Sequence, residues 1–301
     1  MSSLRHLVGP SEFLQGYDVT EPCDDGGDST HSAKQTNGHG ANGVSDFARL
    51  AGTIETEILP RLVLAYRETP RKIQTTGLGR SRPTDEDVIT FADIVVRQDV
   101  NAAHRYIAAL CERGVRLESV FLDLLAPAAR HLGKLWVEDI CDFATVTLAL
   151  SRMQQVLNAL SPAFKAADTQ PLDRNALLVT LPDEQHTFGV HMVAEFFRRD
   201  GWDVWSGVPE SNEEVLDLVL DQPFDVIGVS VSCDTHAADL DALVRRIRAT
   251  SRNREVRFLL GGRVFVEHPG WAPRIGADAV GVDGRQAVLR ANELLGAVAT
   301  R

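Results

Sequence analysis

The stretch LPDEQHTFGVHM, residues 181–192, sets Glu184, His186 and His191 close together directly after an apolar run. An imidazole can bind a metal through one ring nitrogen while a carboxylate holds the other nitrogen and so fixes the tautomer. Glu184 and His186, two residues apart, suit that pairing. His191 comes five residues after His186, a spacing that does not bring both onto one helical face, so a joint two-histidine site is not expected. A histidine on a loop is usually only solvated, and the stretch gains meaning only from the elements around it. The cysteines, Cys23, Cys111, Cys141 and Cys233, form no CxxC pair and read as reduced thiols rather than a disulfide framework or a structural zinc site.

The elements that must position these residues follow from periodicity. Residues 1–44 are poor in large apolar groups and rich in Gly, Asp, Ser and Thr, which predicts a disordered tail, with His31 and His39 solvated in it. Apolar residues then recur at three and four over 45–166, with a kink or break at Pro60, a helix N-cap at Thr84 and a stop at Gly114. Four or five helices without strand signals predict a helical bundle. A polar linker, KAADTQPLDRN, precedes a change of rhythm.

Over 173–301, short apolar strands alternate with helices: ALLVTL, WDVWSG, DVIGVSVS, RFLLGG and DAVGV against HTFGVHMVAEFFRRDG, NEEVLDLVLDQ, ADLDALVRRIRATS, GWAPRIG and GRQAVLRANELLGAVA. That pattern predicts a Rossmann/flavodoxin-like, doubly wound parallel sheet of five strands, an α/β domain behind an all-helical one. In such sheets ligands sit beyond the C-terminal strand ends, at the switch in strand order. Glu184, His186 and Gly189 follow the first strand, Ser230 and Ser232 end the third, and Gly261 and Gly262 end the fourth, so all converge on one rim.

Residues 173–301 resemble the cobalamin-binding domain of corrinoid proteins, whose fingerprint is Asp-x-His-x-x-Gly, Ser-x-Leu and Gly-Gly. Here EQHTFG (184–189) is followed by 40 residues, SVS (230–232), 28 residues and GG (261–262). The resemblance implies a cobalamin bound with His186 as the lower axial ligand to cobalt. It also implies a nucleotide tail running past Gly189 into the sheet, hydrogen-bonded by Ser230 and given room by Gly261 and Gly262. Two positions depart from the pattern: Glu184 replaces the aspartate and is one methylene longer, which puts its bond to His186 in question, and Ser232 replaces the leucine.

Residues 131–154 resemble the helical cap over cobalamin in such proteins, and Trp136 aligns with the cap tryptophan that packs on an adenosyl group in light-sensing relatives. Those relatives carry Glu-His after nine further residues, where this chain has Val146 and Thr147, and Trp136 as an ordinary residue of the bundle core is the alternative reading.

From about residue 45 to 301 the chain is similar to the AerR/PpaA antirepressors of purple photosynthetic bacteria. That resemblance implies a light-responsive, cobalamin-binding transcriptional regulator, holding adenosyl- or hydroxocobalamin, whose partner is a repressor of PpsR/CrtJ type. Heme bound through the same His186 is the alternative cofactor, and a corrinoid methyl-carrier subunit the alternative role. No barrel and no acid–base pair speaks for an enzyme. With a net charge of −11, direct specific DNA binding is not expected. No window approaches 18 apolar residues and no signal-peptide core opens the chain, so a cytoplasmic protein without a membrane segment is expected.

Overall fold

The computed structural model describes residues 82–165, 170–234 and 240–296. The expected tail, the helical pattern over 45–81 with Pro60 and residues 166–169 of the linker lie outside the described residues.

The helical region begins with α1, Asp85–Arg97. Thr84 caps it, with its hydroxyl accepting from the Asp87 N–H and the Asp87 carboxylate accepting from the Thr84 N–H. The single helical run expected from Thr84 to Gly114 is broken. Asp99 turns its side chain to the Ala102 N–H and starts α2, Val100–Glu112. Gly114, at φ +92°, then ends the pair.

A one-turn α3, Leu117–Ser119, leads through a π-helical turn, Val120–Leu125, into α4, Ala126–Val137. Pro127 explains the wide turn, because proline has no N–H to return to the carbonyl four residues back and its ring crowds that carbonyl. The helix α5, Phe143–Phe164, is capped by Asp142.

The second region is the expected five-stranded parallel sheet, in the order β2-β1-β3-β4-β5. Its strands are β1 Asn175–Thr180, β2 Asp203–Gly207, β3 Val226–Ser230, β4 Arg257–Gly261 and β5 Ala279–Val280. Between and after them come α6 Phe188–Arg199, α7 Asn212–Asp221, α8 Leu240–Thr250, α9 Arg263–Glu267, α10 Trp271–Ile275 and α11 Gly284–Gly296. Among the described residues of this region, the short α9 directly after the Gly-Gly turn is the element that periodicity misses, since five residues are too few to show a repeat.

Side chains alternate between two cores. Ala176, Leu178, Val226 and Leu259 point to one face of the sheet, and Leu177, Val179, Ile227, Val229, Phe258 and Leu260 to the other. The first core does not stop at α6 and α11. It runs on into the helical region, where Phe121 stacks on Phe164 at 4.1 Å and both meet the edge of Phe196 on α6. At its margin Glu118 pairs with Arg199 of α6 and Arg285 of α11. Burial would raise the Glu118 carboxyl, and these guanidinium groups outweigh it and hold it below its ordinary range. The helices are thus docked on the sheet domain by aromatic packing fenced with charge.

Candidate functional site

The switch in strand order falls between β1 and β3, whose following loops part in opposite directions. The loop after β1 turns at once. Pro182 and Asp183 lie at the centre of a turn closed by the Glu184 N–H on the Leu181 carbonyl, with Asp183 in the left-handed region at φ +65°. This turn drives Glu184 back into the crevice while His186 stays at its mouth. The Glu184 side chain is 1% exposed and that of His186 is 57% exposed.

Three hydrogen bonds fix the carboxylate. Oε1 meets His186 Nδ1 at 2.6 Å and accepts from the His186 N–H at 3.1 Å. Oε2 accepts from the Ser232 N–H at 2.8 Å, across the switch from β1 to β3. Burial alone would raise this carboxyl. The His186 ring, the Ser232 and His186 N–H groups and the imidazole charge outweigh it and hold the pKa at about 2. When the imidazole is neutral, an ionised Glu184 takes the Nδ1 proton as its hydrogen-bond donor and leaves the lone pair on Nε2, the state a metal needs. The bond put in question by the extra methylene is therefore formed, with the Glu184 side chain buried in the crevice.

The other expected residues fall on the same rim. Thr180, Ser230 and Gly261 stand side by side at the ends of β1, β3 and β4. Gly189, in the first turn of α6, has nothing within 4 Å of where a Cβ would lie, so that face of the helix is open. Gly262, at φ +94°, is different. A Cβ there would lie 2.1 Å from the Val231 carbonyl oxygen, and one on Gly261 would lie 3.2 Å from the Gly281 carbonyl. The space these two glycines keep is taken up by neighbouring backbone of the chain itself.

Trp136 is half-buried near the end of α4, its ring against the edge of Phe143 at 6.1 Å. Val146 is buried and Thr147 exposed, at the positions where light-sensing relatives have Glu-His. His191 is half-buried on α6, and burial with the nearby Arg198 pushes its imidazole down to about 4, so it stays neutral. His268 stacks on Trp271 at 4.6 Å with Asp234 3.9 Å away, at the rim beyond β4, and His131 is half-buried on α4.

Two residues of the rim escape sequence reasoning. The Thr180 hydroxyl is buried at the end of β1 with no hydrogen-bond partner. A threonine ending a strand carries no signal until its neighbour across the sheet is known. Cys233, one residue past Ser232, is buried, and its sulfur lies with Glu184 and His186 ligand atoms in a group no wider than 4.8 Å. Only the register of β1 against β3 brings residues 47 positions apart together.

Comparison with known proteins accords with this geometry. The B12 binding domain matches residues 174–291, and a second B12 binding domain family matches residues 90–161 in the helices. The chain is 30% identical over 168 residues to the uncharacterized 20.5 kDa protein in the bchF-crtJ intergenic region of Rhodobacter capsulatus, covering 55% of this chain and 86% of that protein. The chain belongs to the AerR-type family of B12-binding-domain proteins.

The fold of this AerR-type chain is shared with the monomethylamine corrinoid protein of Methanosarcina barkeri, at a TM-score of 0.60 and 18% identity, covering 69% of this chain and 98% of the other. The residues present fit a corrinoid. His186 offers an outward nitrogen of fixed tautomer, Gly189 opens the first turn of α6, and the orphaned Thr180 hydroxyl offers a hydrogen bond at the strand ends. Among the described residues of the AerR-type chain, no helix is long and apolar enough to cross a membrane.

Proposed function

We propose that this chain is a cobalamin-dependent, light-responsive antirepressor, a binding protein rather than an enzyme, whose partner is a repressor of PpsR/CrtJ type. The observation that carries the reading is the outward Nε2 of His186, held in one tautomer by the buried Glu184 at the switch point of the sheet. The intergenic setting in the name of the Rhodobacter relative supports a regulatory context.

Adenosylcobalamin, when bound, supplies a cobalt–carbon bond that light cleaves. His186 would hold the metal, Glu184 would keep its imidazole aligned and in one tautomer, and Ser230 and the Thr180 hydroxyl would receive the nucleotide tail. Trp136 and Phe143, with Val137 at 79% and Ile140 at 63% exposure beside them, form an apolar face at the edge of the helical core. Such a face can take a second arrangement. A repressor that binds one arrangement more tightly than the other completes the switch.

Heme bound through His186 is the second reading of the same site. It gives no use to the orphaned Thr180 hydroxyl at the strand ends, where a nucleotide tail would accept or donate a bond. The deciding experiment is the absorption spectrum of the full chain mixed with adenosylcobalamin or with heme, in darkness and after illumination, followed by capture of a PpsR/CrtJ-type repressor. A light-dependent cobalamin spectrum, lost in His186→Ala, together with repressor capture that differs between dark and light, is expected. Uptake of heme alone, or cobalamin uptake unchanged in His186→Ala, would overturn the cofactor assignment. Photostable corrinoid binding with methyl transfer to an added acceptor would identify a carrier instead.

A further inference from the structure

The geometry points to a second occupant of the His186 pocket. We propose that Glu184, His186 and Cys233 bind a zinc-like divalent ion in the corrinoid-free chain, and that this ion and a corrinoid exclude each other at His186. The exclusion rests on the reading of His186 as corrinoid ligand; the ion site does not.

A carboxylate oxygen, an imidazole nitrogen and a sulfur lie within 4.8 Å of one another. Tetrahedral zinc, with bonds of about 2.0–2.3 Å, needs its ligand atoms roughly 3–4 Å apart. Reaching that spacing opens the 2.6 Å contact between Glu184 Oε1 and His186 Nδ1 and draws the outermost of the three atoms inward. The loop carrying Cys233 is already tied to Glu184, since the N–H of the preceding Ser232 donates to Glu184 Oε2 at 2.8 Å. Thiolate with imidazole and carboxylate is the set that selects zinc and its first-row neighbours over calcium or magnesium. Three protein ligands leave a fourth position for water, and the 57% exposure of the His186 side chain provides the way in.

Proton bookkeeping makes the two occupants exclusive. With a corrinoid, His186 carries its proton on Nδ1, donates it to Glu184, and gives the Nε2 lone pair to the metal. With an ion between Glu184 and Cys233, Nδ1 gives its lone pair to that ion and the proton moves to Nε2, which then has no lone pair to offer. An ion held through Nε2 instead would occupy the corrinoid's nitrogen outright. Cys233 loses its thiol proton to solvent on binding, so one proton is released for each ion bound. The site would guard the pocket until corrinoid is available, and link corrinoid loading to divalent metal supply.

The test uses the full chain, reduced and freed of corrinoid, titrated with Co2+ as a spectroscopic stand-in for zinc. Expected are one Co2+ per chain, the visible bands of four-coordinate cobalt and a near-ultraviolet thiolate charge-transfer band. Cys233→Ser should remove that band, whereas Cys23→Ser and Cys141→Ser should keep it. Excess Zn2+ should weaken hydroxocobalamin uptake by about tenfold or more in the wild type and leave uptake by Cys233→Ser unchanged. Uptake by Cys233→Ser without zinc also shows that the variant folds.

A thiolate band that is missing, or that survives in Cys233→Ser, overturns the ion site. Zinc that weakens uptake equally in Cys233→Ser overturns the exclusion. A chain that gives the Co2+ bands but takes up no hydroxocobalamin refutes the corrinoid reading and with it the exclusion, and leaves the ion site standing.

Discussion

At the rim of the sheet Glu184 is closed from solvent by three hydrogen bonds, whereas Trp136 on the helices has an aromatic edge contact with Phe143, and its neighbours Val137 and Ile140 stand mostly in solvent. Both regions carry residues proposed to meet one cofactor, and they are held in different ways. Directional bonds at the rim leave His186 a single orientation, which suits a ligand that must meet a metal. Trp136 packs on the helical core through apolar contact without directional bonds, which suits the part proposed to repack.

That contrast can be broken from its rigid side first. Gly262→Ala is expected to prevent stable folding or to cost more than about 4 kcal/mol, because its Cβ would meet the Val231 carbonyl from a left-handed backbone. Thermal unfolding followed by circular dichroism measures it. Phe196→Ala removes the ring on which Phe121 and Phe164 converge and should cost about 3–5 kcal/mol in denaturant unfolding. If the helices were only loosely docked, the loss would be far smaller.

Glu184→Ala should leave His186 in place without its orienting partner and weaken hydroxocobalamin binding by about 10–100-fold, read from a titration of the corrin bands. On the yielding side, Phe143→Ala, at a residue 40% exposed, should change stability by about 1 kcal/mol or less. The same substitution is expected to alter the light-induced spectral change, which a purely supporting ring would leave untouched.

Acid separates the two kinds of buried group by sign and window. The Glu184 pKa is held at about 2 against an ordinary 4.5, so its contribution is complete above pH 4.5 and is lost as the pH falls from 4.5 toward 2. His191 is held at about 4 against 6.5, so the unfolded chain takes up that proton first and stability falls as the pH drops from 6.5 toward 4. Circular dichroism against pH should show Glu184→Gln flattening the lower loss and His191→Gln flattening the upper one.

Much of this was legible in the sequence, for reasons that differ by element. The strands read clearly because both faces of a parallel sheet are buried, so each appears as a short apolar run between turn residues. The Thr84 cap was legible because its partner Asp87 is three residues away. The break at Asp99 was masked by apolar periodicity that runs through it, and the π turn before Pro127 by helical spacing on either side. Of the candidate site, EQHTFG, SVS and GG stood out through their types and spacing. Cys233 and Thr180 did not, since no sequence motif marks either position.

The sequence by itself determined the order of elements, the chemistry available at each strand end and the convergence of those ends on one rim. All three follow from local periodicity and from the single hand of parallel crossovers. Only the tertiary structure decided that Glu184 reaches both His186 and the Ser232 N–H. The same holds for Cys233 joining that pair, for Gly262 spending its freedom on Val231, and for the helices sharing one core with α6 and α11. Each of these depends on strand register and docking between residues far apart in the chain, where a shift of one residue would turn every side chain to the other face.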